Sequence, residues 1–195
     1  MSENPNFAKE SLRRELRAEN RRRDAERSAA SGQIVLRLKE QPLWKNSRSI
    51  LFFSLLPGEP DLRTLCQEAI ASGKAVAFPR YIEATDSYRA FQITDSCHDF
   101  MPGKFGIPEP NSSCAELPLN KLDFVLVPGL GFSLSGARLG RGKGYYDRLL
   151  ASVSAVRCGV AFDWQIVAEL PIEPHDILLD CLVTPSLWRD FRAVG

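Results

Sequence analysis

The residues best suited to chemistry lie between Leu122 and Leu150, in LDFVLVPGLGFSLSGARLGRGKGYYDRLL. Six glycines fall from Gly129 to Gly144, and Arg138, Arg141 and Lys143 are threaded among the last four. Side chains are therefore scarce where positive charge is densest, a combination that suits a polyanion. Glycine permits positive φ and close backbone approach, so successive N–H groups can cup anionic oxygens ahead of a helix. A helix end contributes about 0.3–1 kcal/mol, whereas micromolar affinity needs about 8 kcal/mol. The three cations must supply much of the difference. The simpler account, a glycine-rich turn with solvated cations, is weakened by three cations within six residues followed by Tyr145, Tyr146 and Asp147. A carboxylate so placed is electrostatically wasteful unless it holds a divalent metal with phosphate oxygens, or pairs within its helix.

Two familiar phosphate motifs fail by one residue. A P-loop needs four residues between its glycines and Ser or Thr after Lys, but five separate Gly136 from Gly142, and Gly144 follows Lys143. In Gly140-Arg-Gly-Lys-Gly-Tyr145 the third glycine of a dinucleotide fingerprint is replaced by tyrosine.

The elements that must hold this loop follow a β-α-β rhythm. Ser49–Leu56, Lys74–Pro79, Phe124–Val127, Val156–Phe162 and Ile177–Val183 read as buried strands, and Tyr88–Ile93 as an edge strand. Helices are expected over Asp61–Ser72, from Tyr145, and near Trp164–Leu170; residues 95–120 read as a long loop. Pro5–Arg23 predicts a polar helix with a stripe of Phe7, Leu12 and Leu16, and Asp24 is a candidate cap for a second helix ending near Gln41. The fold class expected is a three-layer α/β/α sandwich with a mostly parallel sheet, preceded by an N-terminal helical hairpin, in one domain over residues 1–195. Ligands of such sheets sit beyond the carboxyl ends of the strands, where the glycine-rich loop departs.

Composition narrows the class. The chain has 195 residues and a net charge of +1; residues 1–48 carry twelve basic against seven acidic residues, the remainder thirteen against seventeen. Arg21, Arg22 and Arg23 are consecutive but point around a helix interrupted by acids, so an RNA-binding module on residues 9–27 is the lesser reading. Five cysteines without CxxC spacing, no apolar leader and no membrane-length apolar run lead to the expectation of a reduced, cytoplasmic monomer that binds neither membrane nor nucleic acid. His98 and His175 lack further ligands at metal spacing and read as loop hydrogen-bonders.

The segment GLGFSLSGARLGRGKGYYDR resembles the signature of the 5-formyltetrahydrofolate cyclo-ligase family, also called methenyltetrahydrofolate synthetases. The likeness extends through KESLR at 9–13, GEPDL at 58–62, FPRY at 78–81, KFGIPEP at 104–110, GVAFDWQ and LPIEPHDILLDCLVTP. The resemblance implies ATP- and Mg²⁺-dependent cyclisation of 5-formyltetrahydrofolate. It implies that Lys9 and Arg13 reach ATP, and that Arg138, Leu139, Gly140, Arg141, Gly142, Lys143, Gly144, Tyr145 and Tyr146 surround its phosphates. Arg141 through Tyr145 also fall where the family contacts folate, with Leu55 and either Glu59 or Asp61, a choice the turn LLPGEPD leaves open. Asp147 and Asp180 match metal-associated carboxylates. Lys143, Arg141 and Tyr145 are the catalytic candidates, since phosphoryl transfer depends on positioning and charge stabilisation and needs no protein nucleophile. Glu109 is a candidate lining residue, with a turn carboxylate as the simpler account; Tyr145 and Tyr146 suit a division between pteridine and core. Another ATP-dependent ligase or kinase acting on a small acid is the alternative within enzymes.

Overall fold

The computed structural model describes residues 5–173 and 176–192, without the side chains of residues 5, 6 and 105; His175 lies outside the described residues. Helices are α1 (Pro5–Arg22), α2 (Arg27–Glu40), α3 (Pro42–Asn46), α4 (Arg63–Ala71) and α5 (Tyr145–Ala151). Strands are β1 (Ser49–Leu51), β2 (Ala75–Ile82), β3 (Ser87–Ile93), β4 (Phe100–Pro102), β5 (Pro108–Pro110), β6 (Phe124–Val127), β7 (Gly131–Ser133), β8 (Arg138–Leu139), β9 (Val156–Val160), β10 (Ile166–Val167), β11 (Cys181–Val183) and β12 (Trp188–Asp190).

The main sheet has the order β12-β11-β9-β6-β1-β2-β3. Its five inner strands are parallel, and β3 and β12 close the two edges antiparallel. Every residue of β6 is buried, as its uninterrupted apolar run requires. Alternation divides them: Phe124 and Leu126 join Ile34, Leu38, Leu65 and Ala69 of α2 and α4 on one face. Val125 and Val127 join Phe132, Leu149, Leu150 and Val153 on the other. The sheet is thus the middle of three layers, in agreement with the expected class.

The glycines after β6 do not form a single open loop. Residues 131–139 form a hairpin, β7 against β8, rather than open loop, and β10 pairs parallel with β7. Gln165 is buried and holds the turn between β6 and this hairpin: its Nε2 donates to the Gly129 and Leu130 carbonyls at 2.8 and 3.2 Å, while Oε1 accepts the Phe162 N–H at 2.8 Å. The helix expected over 164–170 is replaced by a 3₁₀ turn at Asp163–Gln165 and β10, because Gln165 uses its amide on the neighbouring turn. Asp24 likewise opens a 3₁₀ turn instead of capping α2.

Helix α1 lies on the hairpin. Leu16 packs with Ala137, Leu139 and Leu170, and a Cβ at Gly131 would stand 2.6 Å from Leu16 Cδ1, so that glycine makes the approach possible. Asn20 fastens the far end of the helix, donating to Gly58 O at 2.6 Å and accepting Trp164 Nε1–H at 3.1 Å. No helix among the described residues is long and apolar enough to cross a membrane.

Candidate active site

At the carboxyl ends of β1 and β6 lies a cleft of about 410 Å³, within the usual range for small-molecule sites. One side is the loop from Arg138 to Asp147; the other is built of Phe53, Leu56, Pro79, Tyr88, Ile107 and Glu109. Arg17, Arg138, Arg141 and Lys143 bring positive charge, and Glu59, Glu109 and Asp147 bring carboxylates.

Each loop residue is held by a distinct contact. Arg138, with its side chain 4% exposed, is ion-paired with Asp147 and donates to Pro128 O at 3.3 Å. Arg141 donates through Nε and Nη2 to Glu59 Oε1 at 3.2 and 2.9 Å, and Leu56 N–H secures the other Glu59 oxygen at 3.1 Å. Burial pushes the Glu59 carboxyl above its ordinary value, against the opposing pull of Arg141. Gly142 has φ +96° and passes so close to α1 that a Cβ would lie 3.4 Å from Arg13 Cζ. Arg13 Nε in turn donates to Gly140 O at 3.1 Å, so α1 braces the loop. Gly144, at φ +66°, turns the chain into α5. Lys143 is exposed on the cleft rim.

The paired tyrosines divide as their neighbours dictate. Tyr145 meets Tyr81 and Tyr88 edge to face, with centroids 5.8 and 5.5 Å apart. Tyr146 packs against both hydrophobic cores, and burial drives its hydroxyl well above its ordinary value. The Tyr88 hydroxyl is pushed up to about 12, first by burial and then by the neighbouring Glu109 charge.

The structure brings most expected residues together and separates others. Between the two acids of the turn it is Glu59 that enters the cleft; Asp61 pairs outward with Arg63, 2.5 Å between Oδ2 and Nη2, which holds its carboxyl below the usual range. Leu55 lines a neighbouring apolar cavity of about 500 Å³ rather than the cleft. The side chain of Leu139 is buried beneath α1. Lys9 is turned from the loop toward Glu173 and Asp176, at 2.6 and 2.8 Å. Asp180, expected as the second metal carboxylate, stands apart from Asp147. It accepts Arg157 Nε at 2.8 Å, Nη2 at 3.1 Å and the Arg157 backbone N–H at 2.8 Å, immediately before β11 and thus away from the carboxyl ends where Asp147 stands. Among the described residues no group of three or more His, Cys, Asp or Glu side chains gathers to hold a metal. Of the three cleft carboxylates, Asp147 is the one carried by the cationic loop and α5, and a single carboxylate beside phosphate oxygens would suit the sparse protein ligation Mg²⁺ accepts.

Four lining residues had little sequence signal. Arg17 stands one helical turn beyond Arg13 and could have been found by spacing. Phe53 follows β1, Pro79 lies within β2 and Tyr88 near the start of β3, and their meeting depends on sheet order.

A cationic glycine loop facing an apolar, tyrosine-lined wall at the carboxyl edge of a parallel sheet defines an α/β enzyme that brings a polyphosphate to a flat organic partner. The description "5-formyltetrahydrofolate cyclo-ligase family" matches residues 5–185. The chain is 30% identical to the mouse 5-formyltetrahydrofolate cyclo-ligase over 187 residues, 90% of this chain and 92% of the relative. It is 30% identical to the Escherichia coli K12 enzyme of the same name over 162 residues, covering 80% and 89%. The structure of Aquifex aeolicus 5,10-methenyltetrahydrofolate synthetase superposes with a TM-score of 0.86 at 32% identity, over 96% of this chain and 94% of that one. That from Mycoplasma pneumoniae, at 21% identity and TM-score 0.70 over 91% and 98%, shares the fold. The chain belongs to the 5-formyltetrahydrofolate cyclo-ligase family, a family of ATP-dependent ligases.

Proposed function

We propose that this protein cyclises 5-formyltetrahydrofolate to 5,10-methenyltetrahydrofolate, converting ATP to ADP and phosphate. The observation that carries the reading is the single cleft in which Arg138, Arg141 and Lys143 face Tyr145, Tyr88 and the apolar wall. In the reaction the formyl oxygen attacks the γ-phosphorus and the bond to ADP breaks. The folate N10 then adds to the formyl carbon and gives up its proton, and the C–O bond to phosphate breaks as the methenyl bridge forms.

This sequence asks the protein for charge and alignment. Lys143 and Arg141 offset charge on the phosphoryl group in transit, and the glycine backbone allows close approach. Arg138 is held by Asp147 and so has a fixed position when the anion arrives. Arg13 braces Gly140 and lies against Gly142, which supports a role for it beside the same phosphates. Tyr145 presents an aromatic surface to the pteridine, with Glu59 close to the loop. Asp147 would hold Mg²⁺ accompanying ATP, where the ion would screen phosphate charge.

The test is direct: purified protein with 5-formyltetrahydrofolate and Mg-ATP develops the near-ultraviolet absorbance of the methenyl product, and omission of either substrate abolishes it. Folded protein that forms no product under these conditions refutes the reading.

A further inference from the structure

Three buried side-chain polar atoms have no hydrogen-bond partner among the described residues: Glu109 Oε1, Arg138 Nε and the Tyr146 hydroxyl. All three belong to residues lining the cleft. Buried polar atoms are ordinarily paired, because an unmade hydrogen bond leaves the full desolvation penalty. Their gathering around one cavity points to partners supplied by a ligand.

Glu109 is the informative member. Of the three carboxylates in the cleft, Glu59 is bonded to Arg141 and Asp147 to Arg138. Glu109 forms no ion pair of its own among the described residues, although the Arg80 and Lys104 charges and the Lys104 backbone N–H act on its carboxylate; its Oε2 accepts the Tyr81 N–H at 3.3 Å and its residue is 5% exposed. The β4–β5 hairpin fixes it in place, pairing Met101 with Glu109, and Gly103 leaves the space it fills: a Cβ there would lie 2.4 Å from both Glu109 Cγ and Cδ. The same cleft is lined by Phe53, Pro79, Tyr88 and Ile107, surfaces suited to a flat ring. Burial raises its carboxyl above the ordinary value, consistent with a group placed in a dry wall rather than in solvent.

We infer that Glu109 is a substrate-reading residue: its free oxygen accepts hydrogen bonds from the adjacent amino and ring N–H donors of the folate pterin, fixing the ring against the apolar wall. The cationic loop is then left to the phosphates, so opposite ends of one cleft recognise opposite chemistry. This inference rests on the proposed folate reading and adds to it the residue that selects the donor edge.

The test compares 5-formyltetrahydrofolate with its 2-desamino-2-methyl analogue, which lacks the amino donors. The full-length protein is expected to prefer the natural substrate in kcat/KM by roughly tenfold to hundredfold, the usual range for a hydrogen bond to a charged group. Glu109→Ala should lose most of that preference by weakening the natural substrate, with the KM for ATP changed less than twofold. Gly103→Ala, which displaces the carboxyl without altering it, should shift discrimination in the same direction and gives an independent measurement should Glu109→Ala fold poorly. A Glu109→Ala protein that keeps wild-type discrimination, or loses kcat/KM equally on both folates, overturns the inference. Absence of any methenyl product from the wild type instead refutes the parent reading, so the two failures are separate.

Discussion

Lys143 lies on an exposed loop, between two glycines whose φ values of +96° and +66° no ordinary side chain adopts readily. Such a position contributes little to the core and commits the backbone to one course, leaving the ammonium as the part with chemical value. Lys143→Ala should therefore lower turnover by about 10²–10³-fold, the usual scale for removing one donor that stabilises transition-state charge. Thermal unfolding should remain cooperative and within about 1 kcal/mol of wild type. Full activity in the variant would remove Lys143 from the phosphate site. Arg138 differs although it lies in the same stretch: its side chain is 4% exposed and tied to Asp147, so its replacement disturbs structure and chemistry together.

Elements hold these residues because strand ends are pinned at the opposite side of the sheet. Asp123, just before β6, accepts the Arg48 and Ser49 N–H groups at 2.7 and 2.9 Å, joining the start of β1 to β6. Burial raises its carboxyl, but the Arg48 and Ser49 donors and the Arg48 charge together outweigh this and leave it below the usual range. A depressed carboxyl contributes stability above its unfolded pKa of about 3.9, lost as pH falls through the lower folded value. Asp123→Asn should cost about 1 kcal/mol at pH 7, given its exposure to solvent, and the deficit should shrink below pH 4 in denaturant titrations. An equal deficit at pH 7 and pH 3 would show that charge is not involved. This scale also shows what could be read from sequence. The runs FVLV and VRCGV announce buried strands because apolar residues without alternation fit a two-sided sheet. SILFFSLL forms only three residues of strand: Phe52 and Phe53 remain buried, but as walls of cavities beyond the sheet, and apolarity alone cannot tell the two apart. The hairpin of β7 and β8 was hidden because its glycines read as loop, while the purpose of Gly131, room for Leu16, depends on a helix more than a hundred residues away. The cationic loop was legible since its charges fall within six residues of the chain; Glu109 was named only as a lining candidate because the unpaired state of its Oε1 among the described residues is a three-dimensional fact.

Over the whole molecule, the N-terminal helix is clasped to the C-terminal segment by Lys9. Its ammonium reaches Glu173 and Asp176, 164 and 167 residues away, with its side chain 8% exposed. Burial works against the charge, yet hydrogen bonds and attraction from Asp176 and Glu173 outweigh it and raise the ammonium above its ordinary value. A lysine so raised contributes stability that is complete below its unfolded pKa of about 10.4 and disappears as pH rises through the folded value. Lys9→Met keeps the apolar stem and removes the charge that both partly exposed carboxylates bind. The variant should lose about 1–3 kcal/mol at pH 7, below the cost of breaking a fully buried pair because water reaches both acids. The wild type should lose that advantage above about pH 10.5, so the two unfolding curves converge there. Because α1 also carries Arg13 to Gly140, loosening this clasp should raise the KM for ATP more than it lowers kcat. If Lys9 instead serves ATP alone, the variant will show the KM effect with unchanged stability at pH 7 and no alkaline convergence, which assigns the helix to substrate binding rather than to the frame that holds the loop.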